Sequence, residues 1–168
     1  ETINNMSKTI DDFKNFFSPH KKTEEFFVED AIDETLRMLR PQFKSHGISI
    51  EFNNVKNERH SIISIKNELK QVFLNIIANA KDAITERQPS EPTITIDVSE
   101  RGNDLAITVE DNAGGIPEEI VEKIFDAHFT TKAEGKGTGI GLYMSKQIVV
   151  DSLNGKLEVE NTENGAKF

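Results

Sequence analysis

The sequence predicts an α+β fold, a two-layer sandwich in which helices cover one face of a mixed, mostly antiparallel sheet. A further helix is expected at the N-terminus. Three observations carry this reading. Residues 67–87 place Leu69, Val72, Phe73, Ile76, Ile77, Ala80, Ala83 and Ile84 at helical spacing, so that one face of a long helix is apolar. Residues 93–99 and 104–110 read as strands on either side of Arg101-Gly102-Asn103, a good hairpin turn. Helical and strand periods then alternate along the chain with short connections and no internal repeat.

The remaining elements follow in chain order. Ile3, Met6, Ile10, Phe13, Phe16 and Phe17 form a helical stripe that Ser18-Pro19 ends. Residues 20–25 read as a linker and Phe26-Phe27-Val28 as a short strand. Glu29-Asp30 offers an N-cap to a helix through Ile32, Leu36, Leu39 and Phe43 that ends at Gly47, with Pro41 expected to disturb its last turns. Residues 48–52 alternate as a strand, and residues 61–65 form a weaker one. Beyond the hairpin, short helices are expected at 117–126 and a longer one at 139–153. Leu157-Glu158-Val159 reads as a strand, and a turn at Glu163-Asn164-Gly165 precedes a final one.

Composition narrows the function classes. The 168 residues fit one domain with an appendage, and 36% apolar content suffices for a single core. A net charge of -9 argues against nucleic-acid and anionic-membrane partners, although a phosphate site needs only local donors. The absence of cysteine removes disulfides, thiol catalysis and zinc thiolates. There is no apolar run of about 18 residues and no signal peptide, so the piece is expected to be soluble. The lack of cysteine is compatible with a reducing cytoplasm, and the expected location is cytoplasmic, including as the cytoplasmic part of a membrane-anchored protein. Its ends at Glu1 and Phe168 read as those of an excised fragment.

Three segments carry chemistry. On the helix 67–87, Glu68, Gln71, Asn75, Asn79 and Asp82 form a narrow polar stripe beside the apolar face. Asparagine is a poorer helix former than the lysine and glutamate of an ordinary solvated face. Two carboxamides four residues apart lie together, where one can offer a neutral oxygen to Mg²⁺. Asp111 ends an apolar strand and is followed by Gly114-Gly115, which suits a fixed acceptor for an exocyclic amine and a close approach of a flat base. Residues 130–142 read Thr-Thr-Lys-Ala-Glu-Gly-Lys-Gly-Thr-Gly-Ile-Gly-Leu, a glycine-rich lid entering a helix, with Lys132 and Lys136 adding positive charge. It lacks the P-loop spacing. The four histidines, His20, His46, His60 and His128, fit no nucleophilic or metal-ligand pattern.

Together these segments resemble the ATP-binding domain of sensor histidine kinases, within the gyrase, Hsp90, histidine kinase and MutL superfamily. The resemblance spans residues 24–168. Asn75-Ile-Ile-Ala-Asn79-Ala-Lys-Asp-Ala83 resembles the asparagine box, and Asp111-Asn-Ala-Gly-Gly115 the first glycine box. Ile124-Phe-Asp-Ala-His-Phe-Thr-Thr-Lys132 is similar to the phenylalanine box, Gly137-Thr-Gly-Ile-Gly-Leu142 to the second glycine box, and Asn164-Gly-Ala-Lys-Phe168 to the start of the last. The runs Asn79-Ala-Lys-Asp-Ala83 and Phe129-Thr-Thr-Lys132 are similar to the nitrogen-regulation type of sensor kinase.

The resemblance implies ATP and Mg²⁺ as ligands, with Asn79 on the metal, Asp111 on adenine N6 and Gly115 lining the base. It implies that Gly137, Thr138, Gly139 and Gly141 close on the phosphates, with Lys132 in the lid. Asp82, Ile116, Phe129, Thr131, Lys136, Ile140 and Leu142 are expected to contact the nucleotide. Asn75 stands where hydrolytic relatives carry a general-base glutamate, which points to phosphoryl transfer and away from hydrolysis. Asn75, Asn79 and Lys132 are the expected catalytic residues.

Implied partners are a dimerisation hairpin carrying the acceptor histidine, of which residues 1–19 resemble the end of the second helix, and a response regulator whose aspartate receives the phosphoryl group. The intact protein is then expected to be a homodimer. Three positions depart from the pattern. Ala113 replaces a glycine, a mild change if its φ stays negative. Lys167 replaces a frequent threonine near the base. Asp82 stands where many relatives carry lysine.

Overall fold

Two sheets and three principal helices make up the described residues, 22–54, 58–133 and 137–168 of the computed structural model. The expected first helix and most of the linker after it lie outside them. Strand β1 (Glu24–Phe27) runs directly into helix α1 (Val28–His46). Val28, expected to end the strand, instead opens the helix. It is wholly buried, and its N–H donates to His60 O at 3.0 Å. No side chain caps this end, because the Glu29 carboxylate is taken by His60: the backbone N–H donates to Oε2 at 3.1 Å, and Nδ1 lies 2.6 Å from Oε1. Gly47 closes the helix at φ +66. The helix runs on through Pro41, contrary to the expected disturbance. Pro41 and Arg37 both face solvent, where water can satisfy the Arg37 carbonyl that has lost its N–H partner.

β2 (Ser49–Asn54) follows, and then β3 (Ser61–Ser64), which pairs antiparallel with β1 in a separate two-stranded sheet. Helix α2 (Lys66–Arg87) is the centre of the helical layer. Its Leu69, Val72, Phe73, Ile76, Ile77, Ala80 and Ile84 are buried, as their spacing required. Each large apolar side chain so buried contributes roughly 1.5–3 kcal/mol. Two side chains tie α2 to α1: Lys66 Nζ and Lys70 Nζ reach the two Glu34 oxygens at 2.7 and 2.9 Å.

β4 (Thr93–Arg101) and β5 (Asp104–Asp111) form the expected hairpin, with Gly102 at φ +66 in its turn. In β4 the buried residues Ile94, Ile96 and Val98 alternate with less buried ones, so one sheet face meets the helices. A short helix α3 (Glu118–Val121) fills only the first turn of the expected 117–126 segment, and successive turns carry the chain on to Asp126. Helix α4 (Gly141–Gln147) passes into a π-helical turn, Ile148–Ser152, whose exit is marked by Leu153 N–H donating to Ile148 O at 3.0 Å.

The last strands are β6 (Glu160–Asn161) and β7 (Ala166–Lys167). Strand pairing does not include the expected 157–159, because the β6–β7 ladder holds only Glu160↔Lys167 and Asn161↔Ala166. Leu157 nevertheless packs on the core. The main sheet has the order β2-β4-β5-β7-β6, with β2 parallel to β4 and the other pairs antiparallel. This is the mixed, mostly antiparallel α+β architecture that the periodicities predict. Among the described residues, no helix is long and apolar enough to cross a membrane.

Candidate functional site

An open cavity of about 910 Å³ lies between α2, the C-terminal end of β5, the segment 115–132 and the start of α4. Its size is near the upper end of small-ligand pockets. Every residue expected to touch a nucleotide borders it except Lys136, which lies outside the described residues. The polar stripe of α2 borders it through Glu68, Gln71, Asn75, Asn79 and Asp82, and Asp111 borders it from the end of β5.

Asp111 is positioned by register. It pairs with Ile94 across the hairpin, which puts its side chain on the face that carries Ile94, Ile96 and Val98, beneath the helices. It is only 6% exposed. Burial pushes its carboxyl above the ordinary range, against the N–H groups of Ala113 and Ala166 and with a small addition from Glu110. Those N–H groups donate to Oδ1 at 2.9 and 3.5 Å, so Oδ2 remains an acceptor for a ligand donor. Positive φ among described non-glycine residues is confined to Gln88, His128 and Asn154, so Ala113 keeps a negative φ and serves in place of glycine.

Gly115 has φ +78, and a Cβ there would meet Asn161 Oδ1 at 2.8 Å. That contact exists because Asn161 clamps the next residue, accepting from Ile116 N–H at 2.7 Å and donating Nδ2–H to Ile116 O at 2.7 Å. Gly165 packs tighter still: a Cβ on it would lie 1.7 Å from Asp111 O and 2.5 Å from Asp111 C. The backbone of residues 111–116 is thus held from behind by residues 161–166. Asn161 and the role of Gly165 are not expected from the sequence. Gly165 figures there only in the turn at Glu163-Asn164-Gly165 and in the box-like run 164–168, and Asn161 in neither.

Asn75 is committed to α4. Its Nδ2 donates to Gly141 O and Ser145 Oγ, both at 3.1 Å, while its Oδ1 accepts from Gln71 Nε2 at 3.1 Å. Because a carbonyl only accepts, the atom facing Gly141 is the amide nitrogen. One turn further on, Asn79 Oδ1 accepts from Lys132 Nζ at 3.3 Å, and the same ammonium lies 2.6 Å from Asp82 Oδ2. Burial works to raise the Asp82 carboxyl, but the ammonium groups of Lys132 and Lys81 outweigh it and hold it below its ordinary value.

Both edges of the lid are fixed by close packing. Gly139, at φ +64, lies so near His128 that a Cβ would be 2.4 Å from its carbonyl carbon, and His128 N–H donates to Gly139 O at 2.9 Å. Gly137 packs on Thr130 and Lys132, and the Ile140 N–H reaches Thr138 Oγ1 at 3.4 Å. Phe129, Thr131, Ile140 and Leu142 border the cavity beside them, together with Ile120, Ile124, Met144, Ile148 and Phe168. The last five supply an apolar wall that their i, i+4 spacings (120/124 and 144/148) hinted at. Phe125 stacks edge-on to Phe168 at 6.3 Å, with the Lys146 ammonium 4.8 Å from its ring centre.

No described histidine lines the cavity. His60 is bound to Glu29 across 31 residues of sequence, a pair that local spacing could not reveal. Lys167 pairs with Glu160 across the β6–β7 ladder, which raises its pKa.

The profile of the histidine kinase-, DNA gyrase B-, and HSP90-like ATPase family matches residues 64–168. Sporulation kinase A of Bacillus subtilis is 34% identical over 142 residues, 84% of this chain and 22% of that protein. The two-component sensor PprA of Pseudomonas aeruginosa is 33% identical over 82% of this chain and 15% of its own length. The chain therefore spans less than a quarter of these relatives. The solved catalytic domain of histidine kinase ThkA superposes with a TM-score of 0.76 at 31% identity, covering 88% of this chain and 92% of that one. ThkA in complex with the response regulator TrrA gives 0.75 at 26% identity, over 99% of this chain and 47% of that one. The chain belongs to the histidine kinase-, DNA gyrase B-, and HSP90-like ATPase family and, within it, to the ATP-binding catalytic domains of sensor histidine kinases.

Proposed function

We propose that this domain binds ATP·Mg²⁺ and presents the γ-phosphoryl group to a histidine on a helical hairpin, for relay to an aspartate of a response regulator. One observation carries the reading. A single cavity is lined both by a buried carboxylate, Asp111, and by the oxygens of Asn79 and Asp82, which converge on the Lys132 ammonium.

The chemistry follows from these groups. Asp111 Oδ2 accepts the exocyclic N–H of adenine, and guanine, with a carbonyl there, would leave the buried acceptor unpaired. Asn79 Oδ1 is a fixed neutral oxygen where a lysine ammonium already rests, so it suits a Mg²⁺ ligand. Mg²⁺ held there would supply positive charge to neutralise the phosphates. Lys132 adds positive charge at the same end, and the backbone N–H groups of the lid from Gly137 to Gly141 serve as donors to the phosphates. Asn75 has no basic atom to take a proton from water, and its donor end is spent on Gly141 and Ser145. That supports transfer to a protein nucleophile over hydrolysis.

The acceptor histidine then belongs to a dimerisation hairpin, of which residues 1–19 are the proposed trailing end, in a homodimeric cytoplasmic sensor. Titration calorimetry with ATP·Mg²⁺ tests the reading. Wild type binds, and Asp111→Asn keeps its melting temperature but loses about 1–3 kcal/mol of affinity from the mispaired buried amide. Unchanged affinity in that variant would sink it.

A further inference from the structure

We propose that Asp82 is a positioning residue for Lys132, holding its ammonium against Asn79 so that a cation stands fixed at the phosphate end of the cavity before nucleotide enters. This rests on the nucleotide reading above and adds to it a function for a residue three positions past Asn79 on α2.

The Lys132 ammonium lies 2.6 Å from Asp82 Oδ2 and 3.3 Å from Asn79 Oδ1. The longer contact, to a neutral amide, is too weak to restrain a side chain with four rotatable bonds. The carboxylate supplies the hold. It is itself anchored on its own helix, since Asp82 Oδ1 lies 3.0 Å from Lys81 Nζ. At the other end of the lysine the backbone does the work: a Cβ on Gly137 would stand 3.0 Å from Lys132 Cβ and 2.4 Å from Thr130 Oγ1. The root of Lys132 is therefore packed under the lid while its head is tied to α2.

Charge decides the sign of the effect. The Asp82 carboxylate, which borders the cavity with Lys132, is shared with Lys81 outside the lining, so it neutralises the Lys132 ammonium only in part. The cluster therefore attracts a polyphosphate while Asp82 keeps Lys132 in place, and the lysine need not be gathered from solvent on binding.

Calorimetric titration of the whole chain with ATP·Mg²⁺ and with adenosine tests this. Asp82→Asn is expected to weaken ATP about fivefold, as for a partly exposed ion pair, and to leave adenosine unchanged. Lys132→Met should lose at least as much, the double variant no more than Lys132→Met alone, and Asp82→Glu should recover most of the affinity. Tighter ATP binding by Asp82→Asn would overturn the proposal, because Asp82 would then compete with phosphate. A further loss on adding Asp82→Asn to Lys132→Met would also overturn it, because Asp82 would be acting without the lysine. A folded wild type that binds neither ligand defeats the nucleotide reading itself, which the variants leave untouched.

Discussion

Gly165→Ala is the sharpest probe of how the adenine end is built. The added methyl would lie 1.7 Å from the Asp111 carbonyl oxygen, where an ordinary carbon–oxygen contact needs about 3.3 Å. One backbone or the other must therefore move by roughly 1.6 Å, the difference between those distances. Gly165 does not have a positive φ, so alanine fits its backbone angles and the whole effect is steric. Moving Asp111 displaces the acceptor. Moving residues 165–168 breaks the Ala166 N–H contact to Asp111 and shifts Phe168 at the cavity wall. Overpacking of this kind costs about 1–3 kcal/mol of stability. A displaced acceptor loses its hydrogen bond to the base, about 1–3 kcal/mol of ATP affinity. Thermal unfolding gives the first number and calorimetry with ATP the second. Gly102→Ala is the control: at φ +66 in open space it should lose about 1 kcal/mol of stability through backbone strain and no ATP affinity. A folded Gly165→Ala with wild-type ATP affinity would refute the claim that this contact holds Asp111.

Two further outcomes are expected. Asn79→Ala should cut phosphorylation of a histidine hairpin supplied in trans by roughly 100-fold at fixed Mg²⁺, and undiminished labelling with radioactive ATP would remove the metal role from this residue. Glu34→Gln should lower the melting temperature at neutral pH by an amount worth at most about 1 kcal/mol, since all three side chains of its two ion pairs are partly exposed. Lys66 first and Lys70 second hold the Glu34 carboxyl down to about 2 from 4.5, so its stabilisation is complete above pH 4.5 and fades as pH falls toward 2. The gap between variant and wild type should close over that window, and a gap constant down to pH 2 would show that the ion pairs contribute nothing.

What was legible in the sequence was local. The boxes at 75–83, 111–115 and 137–142 are short runs whose own spacing forces an i, i+4 pair, a strand end and a glycine lid, and each stands where its spacing implied. The contacts that were not legible join segments far apart in sequence. Asn161 and Ile116 are 45 residues apart, Glu29 and His60 are 31, and Asp82 and Lys132 are 50. Each depends on sheet register or on how α2 meets the segment before the lid, and no period in either partner's own neighbourhood records it. Pro41 misled for a related reason. A proline stops a helix when its orphaned carbonyl is buried, and whether that face is wet is decided by tertiary packing.

The two ends of the cavity are built by different physics. Asp111 is held by backbone donors and by backbone packing against Gly165, with Asn161 clamping Ile116 behind the glycine pair. On the proposed reading little conformational entropy is left to lose there when a base arrives, so the full cost of a mispaired donor is felt and discrimination between bases is expected to be high. The phosphate end is held by the side chains of Lys132, Lys81 and Asp82, each partly exposed and each contact worth about 1 kcal/mol or less. Interactions that weak can be exchanged one for another as a phosphoryl group leaves and a diphosphate remains. A rigid base site joined to an exchangeable phosphate site lets one nucleotide stay in register while the charge at its far end changes. That division would serve the proposed transfer, because a uniformly rigid pocket would hold substrate and product alike.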